Sequence, residues 1–166
     1  MPAPKDLQHQ TPMIDEPTIA RTPAQRTASI HLTVPGPEMP QHMGPAIEEL
    51  MRTLAEQGVK PTGPMFSYHY RMPSDTFDFE VGVPVAQAVK ETGRVRNSEL
   101  PAANVLRTIY HGPYEGLADG WRAFMDQVAK SGRTPGPAFW ERYVSGPESG
   151  PDPKNWRTEL NRPLID

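Results

Sequence analysis

The chain has 166 residues and a mass of 18.5 kDa, enough for one sizeable hydrophobic core and hardly for two, so a single domain is expected. A formal charge of -3, a pI near 6.0 and scattered lysines and arginines give no electrostatic footprint for nucleic acid or anionic lipid. The absence of cysteine excludes disulfides, thiolate zinc sites and a cysteine nucleophile.

The opening stretch MPAPKDLQHQTPM lacks the basic segment and apolar run of a secretory signal, and no run approaches the roughly 20 apolar residues that span a bilayer. The chain therefore reads as soluble and cytoplasmic. Residues 1 to about 13 are polar and aperiodic and read as a flexible tail, leaving 14–166 as the domain. The 21 prolines fall mostly between periodic segments, where they mark turns.

From Pro17, TIARTPAQRTASIHLTV reads as an extended strand interrupted near Pro23. The proline-rich VPGPEMPQHMGP reads as a long loop. A helix is predicted from Gly44-Pro45, with Ile47, Leu50, Met51 and Leu54 at helical spacing and Gly58 as its stop. Two strands follow, Met65 to Arg71 and Phe77 to Val85, joined by a turn at Pro73-Ser74-Asp75. Leu100 to Tyr110 is strand-like. Gly112-Pro113 then opens a helix with Leu117, Trp121, Phe124, Met125 and Val128 on one side, closing near Gly132. Phe139 to Val144 and Trp156 to Leu164 complete the strands, separated by the loop GPESGPDP.

The order strand, helix, strand, strand thus occurs twice, over about residues 15–90 and 95–165. Gly44-Pro45 corresponds to Gly112-Pro113, Gly63-Pro64 to Gly136-Pro137, and Pro84 to Pro163. The expected fold is α+β: two such units with pseudo-twofold symmetry, an antiparallel sheet carrying both helices on one face, and a ligand cleft between the halves.

Period two places Phe139, Glu141 and Tyr143 on one face of their strand, an acid between rings. The repeat aligns these three with Phe66, Tyr68 and Tyr70, so two aromatic walls are expected to meet with Glu141 where the first half has Tyr68. Rings supply stacking and cation-π surface, and a desolvated carboxylate with a raised pKa selects positive charge or attacks an electrophile. The alternative is that Glu141 pairs with Arg142 or another arginine and the rings are core. His111 and Tyr114 in YHGPYEG lie where a strand passes into a helix and could reach the cleft, or His111 could be a surface turn residue. Trp121 reads as core, and Gly112, Gly116 and Gly120 read as close packing of the helix on the sheet. There is no GxSxG, P-loop, GxGxxG or HExxH, and the five histidines show no ligand-like spacing, so neither metal nor cofactor is expected.

The chain resembles the GyrI-like proteins, which include the drug-binding halves of some AraC-type and MerR-type regulators and many free-standing bacterial domains. The resemblance rests on ELPAANVLRTIYHGPYEGLADGW, FWERYVSGP, DPKNWRTELNRPL and FDFEVGVPV, spread over about residues 15 to 165. It implies a cleft between the halves with Glu141 at its base. Trp140, Glu141 and Tyr143 match the "WE.Y" motif, Tyr68 and Tyr70 the aromatic strand of the first half, and Tyr110, His111 and Tyr114 the strand-to-helix segment. Regulators of this family carry a helix-turn-helix ahead of this domain, and about 14 residues cannot hold one, so direct DNA binding is not expected.

Three functions are compatible with these residues. The first is a binding module for hydrophobic, aromatic or cationic small molecules, acting in sensing or sequestration. The second is a hydrolase of cyclopropane-bearing alkylating compounds, with Glu141 and Trp140 catalytic. The third is a protein-interaction module like the gyrase inhibitors. The expected partner is a small hydrophobic or cationic ligand, with no membrane and with a homodimer left open.

Overall fold

A computed structural model describes residues 13–165. The expected tail lies outside the described residues apart from Met13, whose carbonyl accepts from the His111 N–H at 2.7 Å. Eight strands form one antiparallel sheet: β1 (Thr18–Thr22), β2 (Gln25–Pro35), β3 (Phe66–His69), β4 (Thr76–Pro84), β5 (Arg96–Leu100), β6 (Ala103–His111), β7 (Phe139–Ser145) and β8 (Arg157–Pro163). Helix α1 (Met39–Glu56) follows β2 and α2 (Leu117–Lys130) follows β6. The strand order is β1-β6-β8-β7-β3-β4-β2-β5.

β1 stands at one end of that order and β2 next to the other end, yet they are joined by only Pro23 and Ala24; β5, at that other end, and β6, beside β1, are joined likewise by Pro101 and Ala102. Both junctions contain a proline, which lacks a ladder donor. Thr22 faces Ala103 and Gln25 faces Leu100, so the ladders β1·β6 and β2·β5 share one register across the kink. Two bent ribbons therefore pair along their length, and the sheet curls into a half-barrel. The expected single interrupted strand is β1 and β2; the short β5 carries too little apolar alternation to be seen in the sequence.

The duplication is visible in the hydrogen bonds. Thr62 N–H donates to Pro84 O and Gly136 N–H to Pro163 O, each at 2.9 Å, while Pro61 bridges Val85 as Pro135 bridges Leu164. Pro84 faces Thr27 as Pro163 faces Val105. Each helix ends at a glycine in the left-handed region, Gly58 at φ 69° and Gly132 at φ 76°, a conformation that glycine adopts without steric cost.

Two of the expected landmarks shift. The helix does not begin at Gly44-Pro45: Pro35 ends β2, a 3-10 turn covers Gly36–Glu38 and α1 starts at Met39, with Pro45 inside it. The stretch read as a loop is thus largely helix. Pro37 and Pro40 lie where a helix start needs no donor, so the proline density that suggested a loop is tolerated. Pro35 corresponds to Pro113, each with extended backbone before a 3-10 turn. Gly63-Pro64 is one residue out of step with Gly136-Pro137, because Thr62 is the structural mate of Gly136.

Each half has its own core. Leu50 and Leu54 of α1 are buried against Ile30, Leu32, Phe79 and Val81 of the sheet, and Phe124 and Val128 of α2 against Leu106, Tyr110 and Leu160. Full burial of such a side chain contributes roughly 1.5–3 kcal/mol. The glycine row Gly112, Gly116 and Gly120, the last of them in α2, lies over Tyr110: a Cβ at Gly120 would stand 2.6 Å from its ring, and the ring's hydroxyl donates to Pro113 O at 2.7 Å. No described helix is long and apolar enough to cross a membrane.

Candidate functional site

The two cores share no residue, and the seam between them, β3 against β7, carries polar groups on the helix side. Ser67 faces Glu141 directly across this seam. Gly82 faces Phe66 as its repeat mate Asn161 faces Trp140, so Ser67 is the structural counterpart of Glu141 and the pseudo-twofold axis runs between them.

Glu141 is buried, 9% exposed, and accepts three hydrogen bonds from neutral donors. The Trp121 indole N–H donates to Oε2 at 2.6 Å, and the Tyr143 hydroxyl to Oε1 at 2.8 Å. Ser67 reaches Oε1 at 3.5 Å and lies 2.8 Å from the Tyr143 hydroxyl. Burial raises the Glu141 pKa above the ordinary carboxylate value, and the three donors hold it back. No cation pairs with Glu141 among the described residues; Arg142 points to the other face and pairs with Glu159 at 3.0 Å. The alternative of a Glu141–arginine pair is thereby corrected.

His69 extends the polar chain, its Nε2 lying 3.3 Å from Ser67 Oγ. The ring is stacked between Phe139 (centroids 4.5 Å, planes 5° apart) and Phe79 (4.9 Å, 14°). Burial pushes its pKa down to about 4, so it is neutral near pH 7, and its Nδ1 has no partner among the described residues.

Above these groups opens a cleft of about 1090 Å³, at the upper end of the usual size of small-molecule sites. Met39, Met43 and Ile47 of α1 form one wall, and Leu117, Ala118 and Trp121 of α2 the other; His69, Phe139, Glu141 and Tyr143 form the floor. Tyr114 stands at the rim, edge-on to Tyr143 at 5.9 Å and backed by Trp156 at 5.4 Å. Methionine walls adapt to ligands of varied shape.

Phe139, Glu141, Tyr143 and Tyr114 thus come together in the cleft. Trp140, Phe66, Tyr68 and Tyr70 do not: Tyr68 faces Trp140 across the ladder and packs on it at 5.7 Å, and Tyr70 donates to Glu80, all on the face away from the helices. The expected meeting of two aromatic walls fails because β3 pairs one residue out of step with the sequence alignment, and in a strand one residue exchanges the faces. Tyr110 is core beneath α2, and His111 pairs with Asp15 at 2.7 Å, outside the cleft. Trp121, read as core, lines the cleft and holds the acid. Its signal was that a half-buried indole needs an acceptor. His69 gave no signal in spacing. Among the described residues no group of three acidic or histidine side chains converges as a metal site.

The sequence profile of the GyrI-like small molecule binding domain matches residues 15–164. The chain belongs to the GyrI-like family. No curated protein matches it. Among solved structures, that of EcmrR in complex with DNA is similar over 98% of this chain at 22% identity with a TM-score of 0.80; the chain spans 63% of that protein. The EcmrR C-terminal domain is similar over 91% of this chain and 98% of its own length, at 21% identity with a TM-score of 0.79. SAV2435 bound to tetraphenylphosphonium (10% identity, 91% of this chain and 94% of that one, TM-score 0.64) and a hydrolase from Listeria innocua (12%, 99% and 98%, TM-score 0.66) share the fold.

Proposed function

We propose that the cleft of this GyrI-like small-molecule binding domain takes up hydrophobic, aromatic cations, with Glu141 as the group that recognises charge. The observation that carries this reading is a buried carboxylate held by Trp121, Tyr143 and Ser67, with no cation beside it among the described residues, at the floor of an apolar cleft. Neutral donors orient the carboxylate without cancelling its charge, and an incoming cation supplies the attraction that offsets desolvation. Weakly hydrated cations fit best, because an apolar cleft replaces little of the hydration of a compact ion. Protonated Glu141 lacks the attraction, so affinity rises with pH and binding releases a proton.

The test is calorimetric titration of tetraphenylphosphonium and of uncharged triphenylphosphine oxide into wild type and Glu141→Gln. The phosphonium is expected to bind more tightly than the oxide in wild type only. Equal discrimination by both proteins would remove Glu141 from charge recognition.

A second reading uses the same acid for hydrolysis of a strained cyclopropane-bearing alkylating compound. The raised pKa of Glu141 and the hydrolase among the fold neighbours support it. Glu141 would take a proton from water as its oxygen bonds to the ring carbon; the ring C–C bond breaks, and the proton passes to the carbon released. Trp140, on the opposite face, has no part in such a step. Mass spectrometry distinguishes the two readings: a product heavier by one water formed by wild type and not by Glu141→Gln makes the protein an enzyme, whereas unchanged compound leaves the binding role.

A further inference from the structure

On the face away from the helices, a separate pocket of about 360 Å³ lies at the kink where β1 passes into β2 and β5 into β6. Arg21, Arg107 and Arg142 line it together with Pro23, Leu100 and Trp140. One carboxylate neutralises part of this charge: Glu159 accepts from Arg142 Nη1 with Oε1 at 3.0 Å and Oε2 at 3.2 Å, and its Oε1 lies 3.5 Å from Arg107 Nε. That Arg107 Nε also donates to Asn161 Oδ1 at 2.7 Å. The Arg21 side chain has no hydrogen bond or ion pair among the described residues, and neither do the Arg107 Nη atoms nor the Trp140 indole N–H.

The repeat supplies an internal control. In the first half Glu80 occupies the place of Glu159, with Ser29 at that of Arg107, Tyr68 at that of Arg142 and Glu99 at that of Arg21. There the half-buried carboxylate is satisfied by hydroxyls alone, from Ser29 at 2.6 Å and from Tyr70. The fold therefore does not require arginine at these positions, and three arginines exceed what one glutamate needs. Guanidiniums present forked donors that match planar oxyanions.

We propose that this pocket binds a small organic oxyanion, a carboxylate or phosphate monoester on a flat apolar body. The oxyanion is held by Arg21 and the unpaired donors of Arg107 and Arg142, with the body against Trp140 and the prolines. The site is independent of the cleft, with the sheet between them.

The test is calorimetric titration of the full chain with benzoate, phenyl phosphate and uncharged benzamide. One of the two anions is expected to bind one per chain and benzamide not at all; preference for benzoate identifies the ligand class as carboxylate, and preference for phenyl phosphate as phosphate ester. Arg21→Ala, a change at an exposed unpaired side chain, is expected to weaken binding about tenfold, the loss of about one charge-assisted contact. Arg107→Leu should abolish it while circular dichroism shows a folded protein. Glu141→Gln should leave it unchanged, which separates this site from the cleft. Failure of both anions to bind, equal affinity in Arg21→Ala, or loss of binding in Glu141→Gln would overturn the proposal.

Discussion

The two halves have one topology and different chemistry. Along the seam the second half places Glu141 where the first places Ser67, and Trp121 of α2 stands where α1 has Ile47, the buried Gly120, Phe124 and Val128 matching Ala46, Leu50 and Leu54. On the other face the second half surrounds its glutamate with arginines and the first with hydroxyls. The paired backbone bonds that define the repeat are kept in both halves, so duplication supplies the frame. Chemistry resides where the copies differ. A charged group on a symmetry axis can be supplied by only one half without facing its own kind, since Ser67 and Glu141 oppose one another directly.

The largest effect that tests this asymmetry is on binding. Glu141→Gln is expected to lower phosphonium affinity about 100-fold, near the lower end of the loss from breaking a buried charge pair, and Ser67→Ala only severalfold; calorimetry ranks them. Comparable losses from both would mean that the halves contribute equally.

Next in size is the pH dependence of folding. His69 has a folded pKa depressed to about 4, so the unfolded chain takes up its proton first as pH falls. Stability present above about pH 6.5 is therefore lost progressively down to about pH 4, by about 3 kcal/mol. Glu141 acts at the other side: its raised pKa makes stability fall as pH climbs above 4.5, through the range in which the unfolded carboxyl ionises before the folded one. Urea melts across pH should show His69→Phe without the acid-side loss and Glu141→Gln without the other.

A smaller contrast separates the helices. Gly120→Ala in α2 would drive a Cβ against Tyr110 and is expected to cost about 1–3 kcal/mol. Gly44→Ala in α1 meets nothing within 4 Å and should stabilise by about 0.5–1 kcal/mol. Thermal unfolding of the two variants should move in opposite directions.

Much of this frame was legible in the sequence. Helical spacing found α2, alternation found β3, β4, β7 and β8, and the shared face of Phe139, Glu141 and Tyr143 followed from period two. What failed was register. Alternation says which residues of one strand share a face, but the partner strand's face depends on pairing, and a displacement of one residue sent Tyr68 and Tyr70 to the wrong side. Proline misleads at α1, where the density that spells a loop in the sequence includes Pro37 and Pro40 at a helix start. His69 and Trp121 join Glu141 only through contacts between distant segments, which no local pattern encodes.

The exchange of ribbons at Pro23-Ala24 and Pro101-Ala102 also bears on how the chain folds. Each half's first strand completes the other half's edge, β1 on β6 and β5 on β2, so neither half is a self-sufficient folding unit. These pairings join segments some 80 residues apart, and such non-local closure is slow. A chain cut between Pro84 and Arg96 should yield two fragments that stay incomplete alone and regain the fold when mixed, each supplying the strand that the other lacks.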